Sequence, residues 1–595
     1  MGILDMSFFR FIGIKKRPKA RWSKFYKKED MTIDIPNMSI YEFLKIEMPN
    51  YRKKTAISYF DTKITYEELF EKIDKTANAF HNCGIRKGDI VTVLSANIPE
   101  AIYSIYALNK IGAVANVVHP LSSENEIKEA LQRYSSVILV AMDITYKKIK
   151  NIIKDTEVYK TIIISAKDSM GPIMKIGYML TQGFKTEKPR NSSMFITWKE
   201  FIKNTDQEAR YDCSQKKDTP AIILHSGGTS GKPKGIVLSN GNFIAATIQS
   251  RKALPDLCKN DTILAIMPIF HGFGLSVSIT DAFFCGAKVV LVPTFKASEF
   301  DKLLTKYKPT VLVGVPTLFE ALTTNERMRN VSLAQLKYVI AGGDTLNKNR
   351  VMKINDFLHE HGAKTNLTQG YGMTEAVAAV CFDIKTATRP GSVGIPWPGT
   401  YVKIVDVATG EELGSGKDGE ICICGPTVML GYYNNEKETN EALRIHSDGN
   451  IWLHSGDIGM MDSDGYVYYK QRLKRMIVTS GYNVYPSQIE EVLEKHPAVV
   501  DSSVVGIPHP YKVEVAKAFI ALKKGYKDTP KLREELIELC KKNLATYSIP
   551  KEFEFRKSLP KTMLGKVDFR KLQQENIEKR AKIEKEKQEQ EQERK

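Results

Sequence analysis

Ser226, Gly227, Gly228, Thr229, Ser230 and Gly231, followed by Lys232-Pro233-Lys234-Gly235, form a run suited to holding phosphate. Small residues let backbone N–H groups converge on an anion, and the Ser and Thr hydroxyls add donors. The run follows the apolar, strand-like Ala221-Ile222-Ile223-Leu224, the usual setting of a phosphate loop in an α/β protein. It is not a Walker loop. That motif needs four residues between its first Gly and the Gly-Lys, whereas three separate Gly227 from Gly231-Lys232 here. Pro233 also removes a backbone donor and the helix start that the Walker geometry uses. Two further stretches carry chemistry-bearing side chains in order along the chain, Tyr371-Gly372-Met373-Thr374-Glu375 and Gly565-Lys566.

A Thr/Ser-rich segment leading into Gly-x-Pro-Lys-Gly resembles the signature loop of the adenylate-forming superfamily, which holds acyl-CoA synthetases, luciferases and peptide-synthetase adenylation domains. Taken singly, each stretch also reads as an ordinary turn or a core residue; the set is what carries the resemblance, from Trp22 to Arg570. It implies two steps. A carboxylate attacks the α-phosphate of ATP and expels pyrophosphate, and a thiol, that of CoA, then displaces AMP from the acyl-adenylate. A carboxylate is inert to thiols until its oxygen becomes a good leaving group, and both steps crowd anions together, so backbone donors, a cation and Mg²⁺ are required.

The resemblance assigns roles residue by residue. Ser226 to Gly231, with Lys234 behind, match the loop around the β- and γ-phosphates. Thr374 matches a phosphate-touching hydroxyl and Glu375 the Mg²⁺ carboxylate, an oxygen ligand suited to a hard cation. Tyr371 matches the ring against adenine, with Gly343 of Gly342-Gly343-Asp344 opposite. Asp457, in His454-Ser455-Gly456-Asp457, matches the carboxylate that takes the ribose hydroxyls, and Arg472 the Arg that assists there. Lys566 matches a mobile lysine between attacking carboxylate and α-phosphate. His271, in Pro268-Ile269-Phe270-His271-Gly272-Phe273-Gly274, matches a histidine at the acyl-carboxylate end. Gly481 matches a residue lining the pantetheine passage, and Lys474 the hinge about which the small domain turns. Two positions depart from the family pattern: Gln471 replaces an Asp, which removes a local salt bridge, and Val513 replaces a Gly.

The elements that must position these groups are legible in outline. Ile90–Leu94 reads as a strand, Asn97 as the cap of a helix with Pro99 in its first turn, and Gly112 as its stop before the strand Val114–Val118. Val137–Ala141, Thr161–Ser165, Ala221–Leu224, Ile263–Met267, Val289–Val292, Val311–Val315 and Tyr338–Ala341 read as further buried strands separated by helical segments. The fold class expected is α/β: a large N-terminal domain of two helix-covered parallel sheets plus a β-barrel-like subdomain, followed by a small mobile α+β C-terminal domain, as in acyl-CoA synthetases. Residues 167–193, with Gly171-Pro172, Gly177 and Gly183, read as an insertion or mobile surface loop. The boundaries expected are a basic N-terminal arm over 1–30, a large AMP-binding domain over 31–470, a hinge at 471–474, a small domain over 475–572 and a charged tail over 573–595. That tail lacks Gly and Pro and has nothing to bury.

At 595 residues the chain is too long for one core. Hydrophobic content of 42% and charged content of 26% fit a globular protein. No window reaches the roughly 18 uninterrupted apolar residues of a membrane span. The eight cysteines show no metal-ligand spacing, and Cys422-Ile423-Cys424 reads as strand alternation, so neither zinc nor a disulfide framework is expected, and a reducing, cytoplasmic setting is. Net charge is 87 basic minus 69 acidic, or +18, concentrated near the ends. Lys15-Lys16-Arg17, Lys19, Arg21, Lys24 and Lys27-Lys28 follow the apolar Phe8–Ile14, in the wrong order for a secretory signal. Peripheral attachment to an anionic membrane and a solvated arm are both open readings. No nucleic-acid module is recognisable, and the sequence does not give the oligomeric state.

Three features lean towards long-chain fatty acids as the substrate. Gly227-Gly228-Thr229 resembles the loop form of bacterial long-chain fatty acid–CoA ligases. The lead through Trp22, Phe25-Tyr26 and Ser39-Ile40-Tyr41-Glu42-Phe43-Leu44 resembles theirs, as does His271-Gly272-Phe273-Gly274-Leu275. Alternatives are an enzyme loading another acid onto CoA or a carrier-protein phosphopantetheine, and a non-catalytic acyl- or nucleotide-binding protein; the retained Thr374, Glu375, Asp457 and Lys566 argue against the last.

Overall fold

Short apolar runs and well-marked helix starts build most of the chain. In the computed structural model the described residues are 14–181, 191–203, 214–226, 234–344, 346, 348–479, 482–509, 513–562 and 567–580. The strands Ile90–Leu94, Val114–Val118 and Ile138–Met142 are buried at every position, as strands covered on both faces must be. Two of the neighbouring helices open on side-chain caps. Thr65 and Glu68 form a capping box at Tyr66–Asn82, and Ser123 and Glu126 one at Glu124–Arg133. Pro99–Ile111 ends on Gly112 at φ +79, a left-handed stop that glycine reaches without strain.

Contacts divide the chain into two compact units: Met1–Lys403 with Cys422–Ser455 and Asp462–Val467, and Ile404–Ile421 with Gly456–Met461 and Tyr468–Lys595. Two large sheets organise the first. One has eight strands, in the order Gly431–Tyr432, Lys234–Ser239, Pro220–Ser226, Val114–Val118, Ile90–Leu94, Ile138–Met142, Lys160–Ile164 and Phe195–Thr197. The other has nine, in the order Ile395–Pro396, Cys381–Phe382, Leu367–Tyr371, Tyr338–Ala341, Val311–Gly314, Thr262–Ala265, Lys288–Leu291, Thr55–Tyr59 and Thr62–Thr65. Their centres are parallel, as expected, and antiparallel strands finish three of the four edges. Leu264, Val290, Leu312 and Val339 carry the nine-stranded sheet's core, packed on Phe300, Phe319 and Leu358.

The β-barrel-like subdomain takes the form of a five-stranded sheet, Tyr401–Val405, Gly419–Cys424, Ile451–Met461 and Leu443–Ile445 in order, with Val467–Arg472 also on Ile451–Met461. A second five-stranded sheet runs Tyr482–Val484, Ile477–Thr479, Val513–Leu522, Val499–His509, with Glu552–Arg556 parallel to Val513–Leu522. Its core joins Ile477, Val504 and Ile520 to Ile489, Leu536 and Cys540 of two helices.

Several local expectations change. Asn97 is not a helix cap. Its side-chain amide donates to the carbonyls of Ala265 and Met267 (2.9 and 3.0 Å) and its oxygen accepts from the Ile269 backbone (3.0 Å), tying one large sheet to the loop of the other. The stretch read as a loop at 167–193 contains the helix Pro172–Thr181, with Ile173, Ile176, Met179 and Leu180 exposed. The basic N-terminal stretch is anchored at a few points while its lysines and arginines stay exposed. Trp22 is buried, the Lys15 backbone donates to Asn450 Oδ1 (2.9 Å), and Lys24 pairs with Asp464 (2.5 Å). The segment thought to have nothing to bury begins as a packed helix over 569–580. There Leu572 and Asn576 are buried, and Asn576 Oδ1 accepts from Lys517 (2.9 Å).

Candidate active site

In the first unit, the expected groups gather at the carboxyl ends of parallel strands. Tyr338–Ala341 and Leu367–Tyr371 lie side by side with Ala341 opposite Gln369, so Gly342-Gly343 and Tyr371 emerge together. Thr262–Ala265 and Val311–Gly314 end at the same edge, and the first leads to His271. That edge is where open α/β sheets bind ligands, because the loops there diverge to leave a crevice. Gly343 has φ +81, and a Cβ on Gly342 would stand 3.3 Å from Phe273 Cζ and 3.5 Å from the Gly370 carbonyl, so this backbone passes close to both neighbours.

The loop after Tyr371 is tightly wound. Thr374–Ala376 forms one 3₁₀ turn, and Val377 and Ala378 follow at φ +51 and +82, where a side chain is strained. Gly372 makes that winding feasible, since a Cβ there would lie 1.3 Å from the Ala378 carbonyl oxygen. Glu375 is buried at 7% exposure and accepts from Tyr432 Oη at Oε1 (3.1 Å); its backbone carbonyl accepts from Met429 (2.8 Å). Lys234 stands 4.7 Å over the Tyr432 ring and pairs with Glu438 at 2.8 Å. Asn435 caps the helix Glu436–Ala442 and also holds Glu438 Oε2 (2.9 Å). The lysine behind the phosphate loop and the carboxylate expected to hold Mg²⁺ are thus linked through one tyrosine. Sequence reasoning missed Tyr432, whose partner lies 57 residues away.

His271 sits in the turn Pro268–Gly272, its backbone N–H donating to the Pro268 carbonyl (3.1 Å). A π-helix, Phe273–Thr280, follows; wide turns of this kind cluster at functional sites. A Cβ on Gly274 would come within 2.1 Å of the Pro268 carbonyl, and one on Gly272 within 3.5 Å of Ala378, so the His271 turn lies beside the Glu375 loop. A second missed group is His225, one residue before Ser226. Its Nε2 meets Asn116 Oδ1 at 2.7 Å. Burial, then the charges of Arg133 and His271, push its pKa down to about 4, so the ring is neutral and Nε2 carries the proton donated to Asn116. The one signal was a histidine closing the apolar run Ala221–Leu224.

In the second unit Asp457 and Arg472 come together, Arg472 Nε lying 3.1 Å from Asp457 Oδ1. The Asp457 side chain is 2% exposed and that of Arg472 46%, so the carboxylate is held and the guanidinium reaches solvent. The Gly456 backbone N–H donates to Glu420 Oε1 (2.9 Å). Gln471 is buried, and its Nε2 finds no hydrogen-bond partner among the described residues. Lys474 is exposed in the turn Leu473–Arg475. Lys561 and Val567 form a β-bridge, and Lys561 pairs with Asp501 (3.0 Å). Ser226 ends its strand, but its side chain, together with Gly227, Gly228, Thr229, Ser230, Gly231, Gly481 and Lys566, lies outside the described residues.

Fold and site together define an adenylate-forming enzyme. Residues 45–433 match the AMP-binding enzyme family and residues 488–566 its C-terminal domain. The chain is 34% identical over 554 residues to a long-chain-fatty-acid–CoA ligase of Bacillus subtilis (strain 168), covering 92% of this chain and 96% of that one. It is 33% identical over 566 residues to a probable 4-coumarate–CoA ligase 1 of Dictyostelium discoideum, covering 92% and 97%. Among solved structures, ATP-bound MatB from Rhodopseudomonas palustris superimposes with a TM-score of 0.78 at 25% identity, over 90% of this chain and 98% of that one. The chain belongs to the AMP-binding enzyme family. It is an AMP-forming acid–thiol ligase whose co-substrates are ATP and CoA, with Mg²⁺ the usual metal of the family. Among the described residues no helix is long and apolar enough to cross a membrane.

Proposed function

We propose that the acid is a long-chain fatty acid, joined to CoA through an acyl-adenylate. The observation that carries this reading is the 34% identity to the Bacillus subtilis long-chain ligase across 92% of the chain. The His271 turn supports it. Directly after His271 the π-helix buries the apolar Leu275 and Ile279, while the Gly274 side-chain position is taken up by the Pro268 carbonyl. Each buried CH₂ contributes about 0.8 kcal/mol, so an alkyl chain seated along such a wall gains affinity with its length.

In this reading Ser226 to Gly231 hold the β- and γ-phosphates and Lys234 stands behind them. Tyr371 and Gly343 grip adenine, and Asp457 with Arg472 the ribose. The Glu375 carboxylate, buried and with one oxygen fixed by Tyr432, fits Mg²⁺, and the Thr374 hydroxyl touches phosphate. The metal supplies charge neutralisation on the phosphate oxygens. His271 orients the substrate carboxylate. The carboxylate oxygen bonds to the α-phosphorus as the bond to pyrophosphate breaks, and Lys566 stabilises the charge that develops. The thiolate of CoA, passing Gly481, then bonds to the acyl carbon as the carbon–oxygen bond to AMP breaks, after the unit beyond the hinge at Lys474 has turned.

The 33% identity to a 4-coumarate–CoA ligase favours an aromatic acid as the second reading. Release of AMP from ATP, Mg²⁺ and CoA, measured across long-chain, short-chain and hydroxycinnamic acids, separates the two. The highest kcat/KM should belong to a long-chain fatty acid; a preference for 4-coumarate would overturn the assignment. Replacing CoA by a carrier-protein phosphopantetheine tests the acceptor in the same assay.

A further inference from the structure

Cys422, His446 and His454, to which no catalytic or binding role is assigned above, come together in the first unit. His446 Nε2 and His454 Nε2 are 2.9 Å apart, and Cys422 Sγ lies 3.6 Å from His454 Nδ1. One donor atom from each of the three residues falls within 4.8 Å of the other two. We propose that they form a binding site for a borderline-soft divalent transition metal of the zinc type, distinct from the oxygen-ligated Mg²⁺ site at Glu375.

The donor chemistry selects the ion. Two imidazole nitrogens and one thiolate suit zinc or cobalt and do not suit Mg²⁺ or Ca²⁺, which take oxygen. Tetrahedral zinc, with nitrogen at about 2.0–2.1 Å and sulfur at about 2.3 Å, sets its ligand atoms about 3.3–3.6 Å apart. The cysteine contact is to His454 Nδ1 and the histidine contact to His454 Nε2, and one metal takes only one of these nitrogens; the three donor atoms, within 4.8 Å of one another, have to adjust by about 1 Å to reach that spacing. Three protein ligands leave a fourth position for water. Two Nε2 atoms at 2.9 Å share at most one proton between them, so at least one turns a lone pair into the gap. Lys403, over the Trp452 ring at 4.1 Å, places a positive charge nearby, which the negative thiolate offsets.

The scaffold is rigid. Cys422 and His454 stand on neighbouring strands, Gly419–Cys424 and Ile451–Met461. His446 directly follows Leu443–Ile445, which pairs with the second of those strands through Ile445 and Ile451. The turn between is locked: His446 donates its backbone N–H to Asn450 (3.0 Å) and its carbonyl accepts from Gly449 (2.8 Å). Asp448 accepts from the Asn450 backbone and from Trp452 Nε1 (3.0 and 3.1 Å), and Asn450 Oδ1 accepts from the Lys15 backbone (2.9 Å). Ligands on paired strands with a fixed turn lose little freedom when a metal binds, the condition for useful affinity.

Cobalt(II) reports the site directly. Full-length protein, reduced and stripped of metal, should take up one Co²⁺ with a thiolate-to-cobalt charge-transfer band and visible bands of tetrahedral intensity. One equivalent of Zn²⁺ should abolish both, excess Mg²⁺ neither, and Zn²⁺ should raise the melting temperature as its concentration rises. His446→Gln changes a half-buried residue and keeps every cysteine. It should weaken Co²⁺ binding by more than the about 10–100-fold that loss of an outer-shell partner costs. Cys422→Ser should keep the visible bands and lose the charge-transfer band. A cobalt spectrum without thiolate character, or wild-type affinity in His446→Gln, overturns the proposal; should Cys422→Ser fail to fold, His446→Gln decides alone.

Discussion

Removing a single hydroxyl tests whether Tyr432 holds the Glu375 carboxylate for the metal. Tyr432→Phe keeps the ring, so the 4.7 Å contact with the Lys234 ammonium survives, as does the Tyr432 backbone bond to Thr439 Oγ1 (2.9 Å). What disappears is the 3.1 Å donation to Glu375 Oε1, between side chains of residues each only 7% exposed. A hydrogen bond to a charged acceptor contributes about 1.5–3 kcal/mol. At 1.36 kcal/mol per decade that corresponds to about 10- to 160-fold. If that bond orients the carboxylate for Mg²⁺, the loss falls on metal affinity. The half-saturating Mg²⁺ concentration for acid-dependent pyrophosphate release should rise at least about 10-fold, and saturating Mg²⁺ should restore most of kcat. An unchanged Mg²⁺ dependence alongside a lowered melting temperature would show that Tyr432 merely packs against Glu375, and would refute the link from Lys234 to the metal carboxylate.

Gly372→Ala would set a methyl 1.3 Å from the Ala378 carbonyl oxygen and displace the Thr374–Glu375 turn; a shift of about 1 Å lowers rate by about 100-fold. Gly414→Ala, with nothing within 4 Å, should leave pyrophosphate release unchanged, and equal behaviour of the two would refute the steric account. Burial foremost, with the nearby Asp168 charge, raises the Glu100 pKa to about 8, against the Ser169 hydroxyl donating at 2.5 Å. A raised carboxyl pKa means the folded state holds the proton more tightly, so this stability is complete below about pH 4.3 and is lost as pH rises towards 8. Glu100→Gln should therefore gain on wild type by up to about 4 kcal/mol between about pH 5 and pH 8 in calorimetric melts. The buried Asp281 and Asp383, each raised to about 7, are common to both proteins and cancel, so a pH-independent difference would contradict the assignment. Lys566→Ala should slow adenylate formation by at least about 100-fold and spare thioester formation from supplied acyl-adenylate; an equal fall in both half-reactions would remove its proposed role.

Chemistry confined to a few consecutive residues was legible without coordinates. The glycine-rich run after Leu224, the Tyr371–Glu375 stretch and the buried strands all follow from local residue order, because backbone donors, strand burial and helix caps are short-range properties. Thr65 with Glu68 and Ser123 with Glu126 announce helix starts in the same way. Tertiary structure alone decided what spans long separations. Asn97 reads as a helix cap because Asn satisfies nearby backbone donors; in the fold its amide meets carbonyls 168 and 170 residues away, the first of which also accepts from the Val292 backbone. Tyr432 was one aromatic among 26 tyrosines until the chain folded its hydroxyl onto Glu375. Cys422, His446 and His454 have no metal-binding spacing along the chain. Strand pairing brings them together, and pairing partners are set by how sheets close over the core, which no local pattern records.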